Sequence, residues 1–113
     1  MKVSEPFLPA STSRCGLVDW QGRSGRHYPL AREYLDTFVM READLYVIAR
    51  DSDVLWVGSS GDLVADPASR IRFRRALKGA NRAFRLDAPA DIQAAAWDLE
   101  GAHPAPFSIS QAA

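Results

Sequence analysis

Asp44-Leu-Tyr-Val-Ile-Ala-Arg50, followed by Val54-Leu-Trp-Val-Gly58, decides how this chain is read. In the first run Leu45, Val47 and Ala49 alternate with Tyr46, Ile48 and Arg50, a period of two in residue types that favour extended backbone. Asp51-Ser-Asp53 between the runs supplies turn chemistry, because short polar side chains bond their own backbone and tolerate unusual φ. The pair therefore predicts a β-hairpin. Gly58-Ser-Ser-Gly61 then interrupts the second strand as a turn, with a spacing that matches neither a P-loop nor a dinucleotide fingerprint.

Asp66-Pro67 is a helix start: an N-cap acid, then a proline where the missing N–H has no helical partner to lose. At 100° per residue, Ser69, Phe73, Ala76, Leu77 and Ala80 share one face, and Arg72, Arg74, Arg75 and Lys78 point away from it. Arg70 sits at the margin of the apolar face. Ile71 points to solvent, for no reason visible in the pattern. Gly79 to Asn81 ends the helix, and Arg82-Ala-Phe-Arg-Leu86 predicts a third strand, with Ala83 and Arg85 on the face opposite Phe84 and Leu86. A second helix, opened at Asp87 or Ala88 before Pro89 and closed by Gly101 and Pro104, would bury Ile92, Ala95, Ala96 and Leu99 and leave Asp98 off the buried side.

Upstream signals are weaker. Residues 1–15, with Pro6, Pro9 and Ser11-Thr-Ser13, read as a flexible lead-in. Gly16–Trp20 and Arg26–Leu30 flank turn residues and suggest a short hairpin, whose second arm Pro29 would confine to a sheet edge. Ala31–Phe38 could form a short helix presenting Tyr34, Leu35 and Phe38. Residues 108–113 read as a tail. The expected fold is one α+β domain over residues 16–107, a small three-stranded, mainly antiparallel sheet in the order hairpin, helix, strand, helix, flanked by those helices.

With 113 residues and 47% apolar composition the chain can bury a core without covalent staples. Cys15 is the only cysteine, which excludes an intrachain disulfide and a multi-cysteine zinc site and suits a reducing compartment. No stretch approaches the roughly 20 apolar residues of a membrane span, and no apolar run precedes Pro6 to act as a signal peptide, so a cytoplasmic protein without a membrane role is expected. His27 and His103 lack ligand spacing, and no metal ligands are assigned.

The formal net charge is zero, but it is unevenly spread. Pro67 to Leu86 holds Arg70, Arg72, Arg74, Arg75, Lys78, Arg82 and Arg85 and no acid. The rest of the chain carries the other seven basic residues and all fourteen acids, so +7 faces −7. A concentrated cationic surface on a neutral chain is a mark of a phosphate-bearing partner.

In its order of elements, and in several residues, the chain resembles the GIY-YIG nucleases. Leu45-Tyr-Val47 stands where the first family triplet would be, Trp56-Val-Gly58 where the second would be, and Asp62-Leu63 resembles the Asp-Leu that follows. Arg26–Leu30 and Leu35-Asp-Thr-Phe38 look like the lead-in of some bacterial members. The resemblance implies that Tyr46 helps activate a water and that Arg70, with Arg72 as second candidate, steadies the attacked phosphate. It also implies a glutamate that binds one divalent ion, Mg²⁺ or Mn²⁺, as a hard oxygen ligand.

The chain departs from this pattern at three positions. Ala96 occupies the place of the glutamate, Phe107 or Ser108 that of an asparagine, and Trp56 lacks the second tyrosine's hydroxyl. Three functions remain open. The preferred one is a domain that has lost cleavage and uses Arg72, Arg74, Arg75, Lys78 and Arg82 to bind DNA, RNA or a protein partner, without a cofactor. The second is an active endonuclease in which Glu100 replaces the missing carboxylate. The third is a structural or regulatory protein whose arginines pair with its own acids.

Overall fold

The computed structural model describes residues 17–106, in the order β1 (Leu17–Gln21), β2 (His27–Glu33), β3 (Leu45–Arg50), β4 (Asp53–Gly58), α1 (Ser60–Ala65), α2 (Pro67–Gly79), β5 (Arg82–Leu86), α3 (Ile92–Glu100) and β6 (His103–Pro104). The strands form one curled sheet in the order β4-β3-β5-β2-β1-β6, every neighbouring pair antiparallel. The lead-in over 1–15 and the tail over 108–113 lie outside the described residues.

The sheet corrects the expected three-stranded architecture. β4, β3 and β5 adjoin one another, but β5 also pairs with β2 through Ala31↔Arg85 to Glu33↔Ala83, and this adds the whole β1–β2 hairpin and β6 to the sheet. The reason lies in residues 31–33, which extend β2 instead of starting a helix. Tyr34 to Phe38 form a turn rather than a helical face, and only Leu35 and Phe38 of that group pack on the core. Pro29 is tolerated in what becomes an interior strand because pairing with β5 begins only at Ala31, so the missing N–H falls where β2 has a free edge.

Other local expectations hold. β3 and β4 form the hairpin, closed by Asp51 and Ser52, with Asp51 at φ 53°. Asp is among the few side chains that accept this left-handed region, and Asn81 holds it there: its Oδ1 accepts from the Asp51 N–H and its Nδ2 donates to the Asp51 carboxylate, both at 2.8 Å. α2 begins at Pro67 with Asp66 as N-cap, and β5 spans the expected residues. The last helix begins later than expected, at Ile92 behind the N-cap Asp91, whose side chain accepts from Ala94 N–H.

β3 is buried on both faces; Leu45, Tyr46, Val47 and Ile48 have no exposed surface. Burying side chains of this size contributes roughly 1.5–3 kcal/mol each. On one face Tyr46, Ile48, Trp56 and Ala83 meet Phe73, Ala76 and Leu77 of α2 and Leu63 of α1. On the other, Leu45, Val47, Val57 and Phe84 meet Ala95 and Leu99 of α3, and the curl brings Trp20, Tyr28 and Leu30 into the same cluster. The two helical layers therefore lie on opposite sides of β3 and β4. Among the described residues no helix is long and apolar enough to cross a membrane.

Candidate nucleic-acid interface

α2 is set in place at its start by one residue used twice. Asp66 ends α1, its N–H donating to Asp62 O at 2.9 Å, and caps α2, its carboxylate accepting from Ala68 N–H and Ser69 Oγ at 3.0 and 3.1 Å. The Ala68 bond, with Ser69 and Arg72, holds this carboxyl below its ordinary pKa against the opposing effect of desolvation. With Ser69, Phe73, Ala76 and Leu77 turned to the sheet, Arg72, Arg74, Arg75 and Lys78 are exposed. Ile71 is exposed as its position on the helix requires, and nothing in the structure accounts for an isoleucine there.

The cations of this face differ in their partners. Arg72 reaches Asp66 at 3.9 Å and Ser69 Oγ at 3.2 Å. Arg74, Arg75, Lys78 and the exposed Arg82 form no ion pair among the described residues. Arg50 adds a further cation at the end of α2, its Nη1 donating to Gly79 O at 3.5 Å. Arg85, from the same basic stretch, is the opposite case. It faces Tyr46 across β3 and β5 and gathers Glu33, Asp87 at 2.8 Å and Asp44 at 3.6 Å. Burial alone would lower its pKa; Asp87, Glu33 and Asp44 outweigh it and raise it.

Tyr46, Gly58 and Arg70 lie on one side of the sheet. Tyr46 opposes Gly58 in register, and a Cβ on Gly58 would fall 2.5 Å from the Trp56 ring, so only glycine fits. The phenol of Tyr46 is buried, accepts the Arg41 N–H at 2.6 Å and packs edge-on against Phe38. Arg70 donates to Leu63 O at 2.7 Å and Val64 O at 3.2 Å, so its guanidinium closes the carbonyl end of α1. Asp62, the acid of the Asp-Leu pair, completes a capping box with Ser59; the Gly-Ser-Ser-Gly turn is thus also a helix start.

Glu100 stands on the other side of the sheet, on α3, exposed and 3.8 Å from Arg23. It and Arg72 flank the free edge of β4 from opposite faces. Ala96 also belongs to α3 and packs on that side. The geometry therefore brings Tyr46 and Arg70 to one face and leaves Glu100 on the other. Among the described residues no three His, Cys, Asp or Glu side chains converge where they could hold a metal ion. Phe107 and Ser108 lie outside the described residues.

The most complete polar centre escapes a helix-wheel reading. Asp98 is 5% exposed, where the wheel leaves it off the buried face, because the β1–β2 turn folds over it. Its carboxylate accepts from Ser24 N–H at 2.7 Å, Ser24 Oγ at 2.6 Å and Tyr28 Oη at 2.7 Å. Burial pushes its pKa up, but the Ser24 and Tyr28 bonds and the charge of Arg26 together hold it below the ordinary value. A Cβ on Gly22 would overlap this carboxylate. Arg23 completes the clasp, donating to Trp97 O at 3.1 Å with its guanidinium 4.6 Å from the Trp97 ring centre. The sequence signal was the Gly-Arg-Ser-Gly turn, whose partner lies more than seventy residues away.

Comparison with protein-family models, with curated proteins and with solved structures finds no match.

Proposed function

We propose that this chain is a GIY-YIG-like module that binds nucleic acid through the outward face of α2 and does not cleave it. The observation that carries the proposal is the uneven partnering of its cations: Arg85 collects three acids, whereas Arg74, Arg75, Lys78 and Arg82 have none among the described residues. Exposed, unpaired guanidinium and ammonium groups on a rigid helix suit phosphate oxygens. The same pattern weighs against a purely structural role, in which these cations would meet the chain's own acids.

Kinship to GIY-YIG domains is part of the proposal. It is supported by the order β3, β4, α1, α2, β5, with Tyr46 opposite Gly58, inside the wider sheet. Binding is favoured over cleavage because the Tyr46 phenol is buried and already bonded, Arg70 is engaged by α1, and Glu100 is across the sheet. A cytoplasmic setting, where Cys15 stays reduced, belongs to the same proposal.

The test is fluorescence anisotropy with labelled oligonucleotides over a salt series. Binding should weaken steeply with salt as phosphate neutralisation releases counterions. Changing Arg72, Arg74, Arg75 and Lys78 together to Ala should abolish most of it. Absence of binding at low salt, or indifference to the fourfold change, would overturn the assignment.

A further inference from the structure

Where β2 ends and β5 begins, the last paired residues are Glu33 and Ala83, and the chains then part toward Tyr34 and Asn81. The notch between them encloses about 330 Å³, open to solvent, and is lined by Arg32, Glu33, Tyr34, Asn81, Arg82 and neighbouring β5 residues. This is at the small end of the size range of ligand clefts.

Its chemistry is unlike that of a random surface dip. Arg32 and Arg82 enter it from adjacent strands, and neither has an ion-pair partner among the described residues. Glu33, the one acid of the lining, is already held by Arg85, so the two guanidinium groups dominate the local field. Tyr34 stands at the rim with 76% of its surface exposed, a large aromatic that the core does not use. Asn81 is fixed by its two bonds to Asp51.

The notch lies just past the C-terminal end of α2, where the chain enters β5, and the register of Arg82 with Ala49 and of Arg32 with Phe84 sets both arginines on the α3 side of the sheet. Arg82 follows the end of α2 by three residues, Lys78 lies in the last turn of that helix, and Arg50 donates to the carbonyl of Gly79, its last residue. A phosphate chain that follows α2 to its C-terminal end and turns over the end of the sheet would meet two unpaired arginines and an exposed ring.

We propose that this notch takes one unpaired nucleotide, its base stacked on Tyr34 and its phosphate between Arg32 and Arg82, so that the ligand of α2 is a single strand. The inference rests on the binding role of α2 and specifies its ligand. A base in a duplex is covered on both faces by its neighbours and offers no ring for Tyr34, whereas an unpaired base does. Stacking of this kind is tolerant of sequence, because every base has a π-face.

The experiment compares anisotropy of one labelled single strand of about twenty nucleotides with that of its duplex, at low salt, against the intact chain and three variants. Expected are tighter binding of the single strand, and a loss on the order of 10-fold for Tyr34→Ala on the single strand alone, the scale of one base–aromatic stack. Tyr34→Phe should retain the wild-type affinity. The double change of Arg32 and Arg82 to Ala should lower the magnitude of the salt slope by about 0.7, the share of one phosphate on a single strand. Tyr34 is too exposed for its loss to unfold the chain, and circular dichroism checks this. Equal affinity for both probes with no effect of Tyr34→Ala overturns the notch and leaves α2 standing. Binding of neither probe overturns both.

Discussion

The Asp98 clasp and the outer face of α2 are both built from charge, and they use it in opposite ways. Around Asp98 every charge is answered: Ser24 and Tyr28 saturate the carboxylate, and Arg23 lies on Trp97 and near Glu100. Along α2, Arg74, Arg75 and Lys78 are left in solvent, and Asp66, the acid beside Arg72, is occupied with capping. A buried charge must be satisfied within the fold or it is destabilising. An exposed cation with no partner contributes little to folding. Charge at the clasp therefore serves the fold, and charge on α2 is not used by it.

The sharpest way to break this contrast is to remove the α2 cations as a set. Changing Arg72, Arg74, Arg75 and Lys78 to Ala is expected to weaken oligonucleotide binding on the order of 100-fold or more at about 0.05 M salt and to flatten the salt slope by about 3 to 4. Thermal stability should move little. A large fall in stability with unchanged binding would reverse the assignment of the two regions.

The converse change is Asp98→Ala. It strips the acceptor from Ser24 and the buried Tyr28 hydroxyl, and calorimetry should show a loss of about 3 kcal/mol. Binding by the fraction still folded should be unchanged. Gly22→Ala forces a Cβ into the same carboxylate and should act in the same direction.

Acid and base should find the clasp from either side. The Asp98 pKa in the fold lies below its ordinary 3.8, so its contribution is complete above that value and is lost as pH falls through the lower, folded value. Tyr28 is shifted up from 10.0, first by burial and then by its bond to Asp98, so its contribution is complete below that value and is lost as pH rises through the higher one. Stability measured against pH should therefore be level between these limits as far as the clasp is concerned. Asp98→Asn should flatten the acid limb and Tyr28→Phe the alkaline one. Unchanged limbs in both variants would show that the clasp does not govern either.

The two regions also differ in how far they could be read from the chain. α2 was legible because its signals are local: Asp66-Pro67 at its start, and Phe73, Ala76 and Leu77 recurring at helical spacing. The β3–β4 hairpin and β5 were legible for the same reason. The sheet beyond β5 was not, because pairing of Ala31–Glu33 with Ala83–Arg85 joins segments about fifty residues apart, and the alternation within a strand does not say which strand lies beside it. Tyr34, Leu35 and Phe38 instead imitate a helical stripe. Asp98 was misplaced because a wheel describes one helix and cannot register a distant turn that folds over its polar side. Arg85 looked like one more surface cation, since its acids at positions 33, 44 and 87 are gathered only by the fold.

The smallest expected effect bears on Tyr46 and Arg70, which lie between the two regions in character. Both are polar, and both are occupied by the backbone, one by the Arg41 N–H and the other by the carbonyls of Leu63 and Val64. If these bonds are their whole task, Tyr46→Phe and Arg70→Ala should each lower stability by roughly 0.5–1.5 kcal/mol, the net value of an intramolecular hydrogen bond. Neither should alter oligonucleotide affinity by more than about 2-fold, since neither group belongs to the exposed cation set on α2. In a plasmid-nicking assay with Mg²⁺ or Mn²⁺, wild type and both variants should be equally inactive. Nicking by the wild type that disappears in Tyr46→Phe and Arg70→Ala at full stability would mean that the buried phenol opens to a substrate, and would return both residues to catalysis.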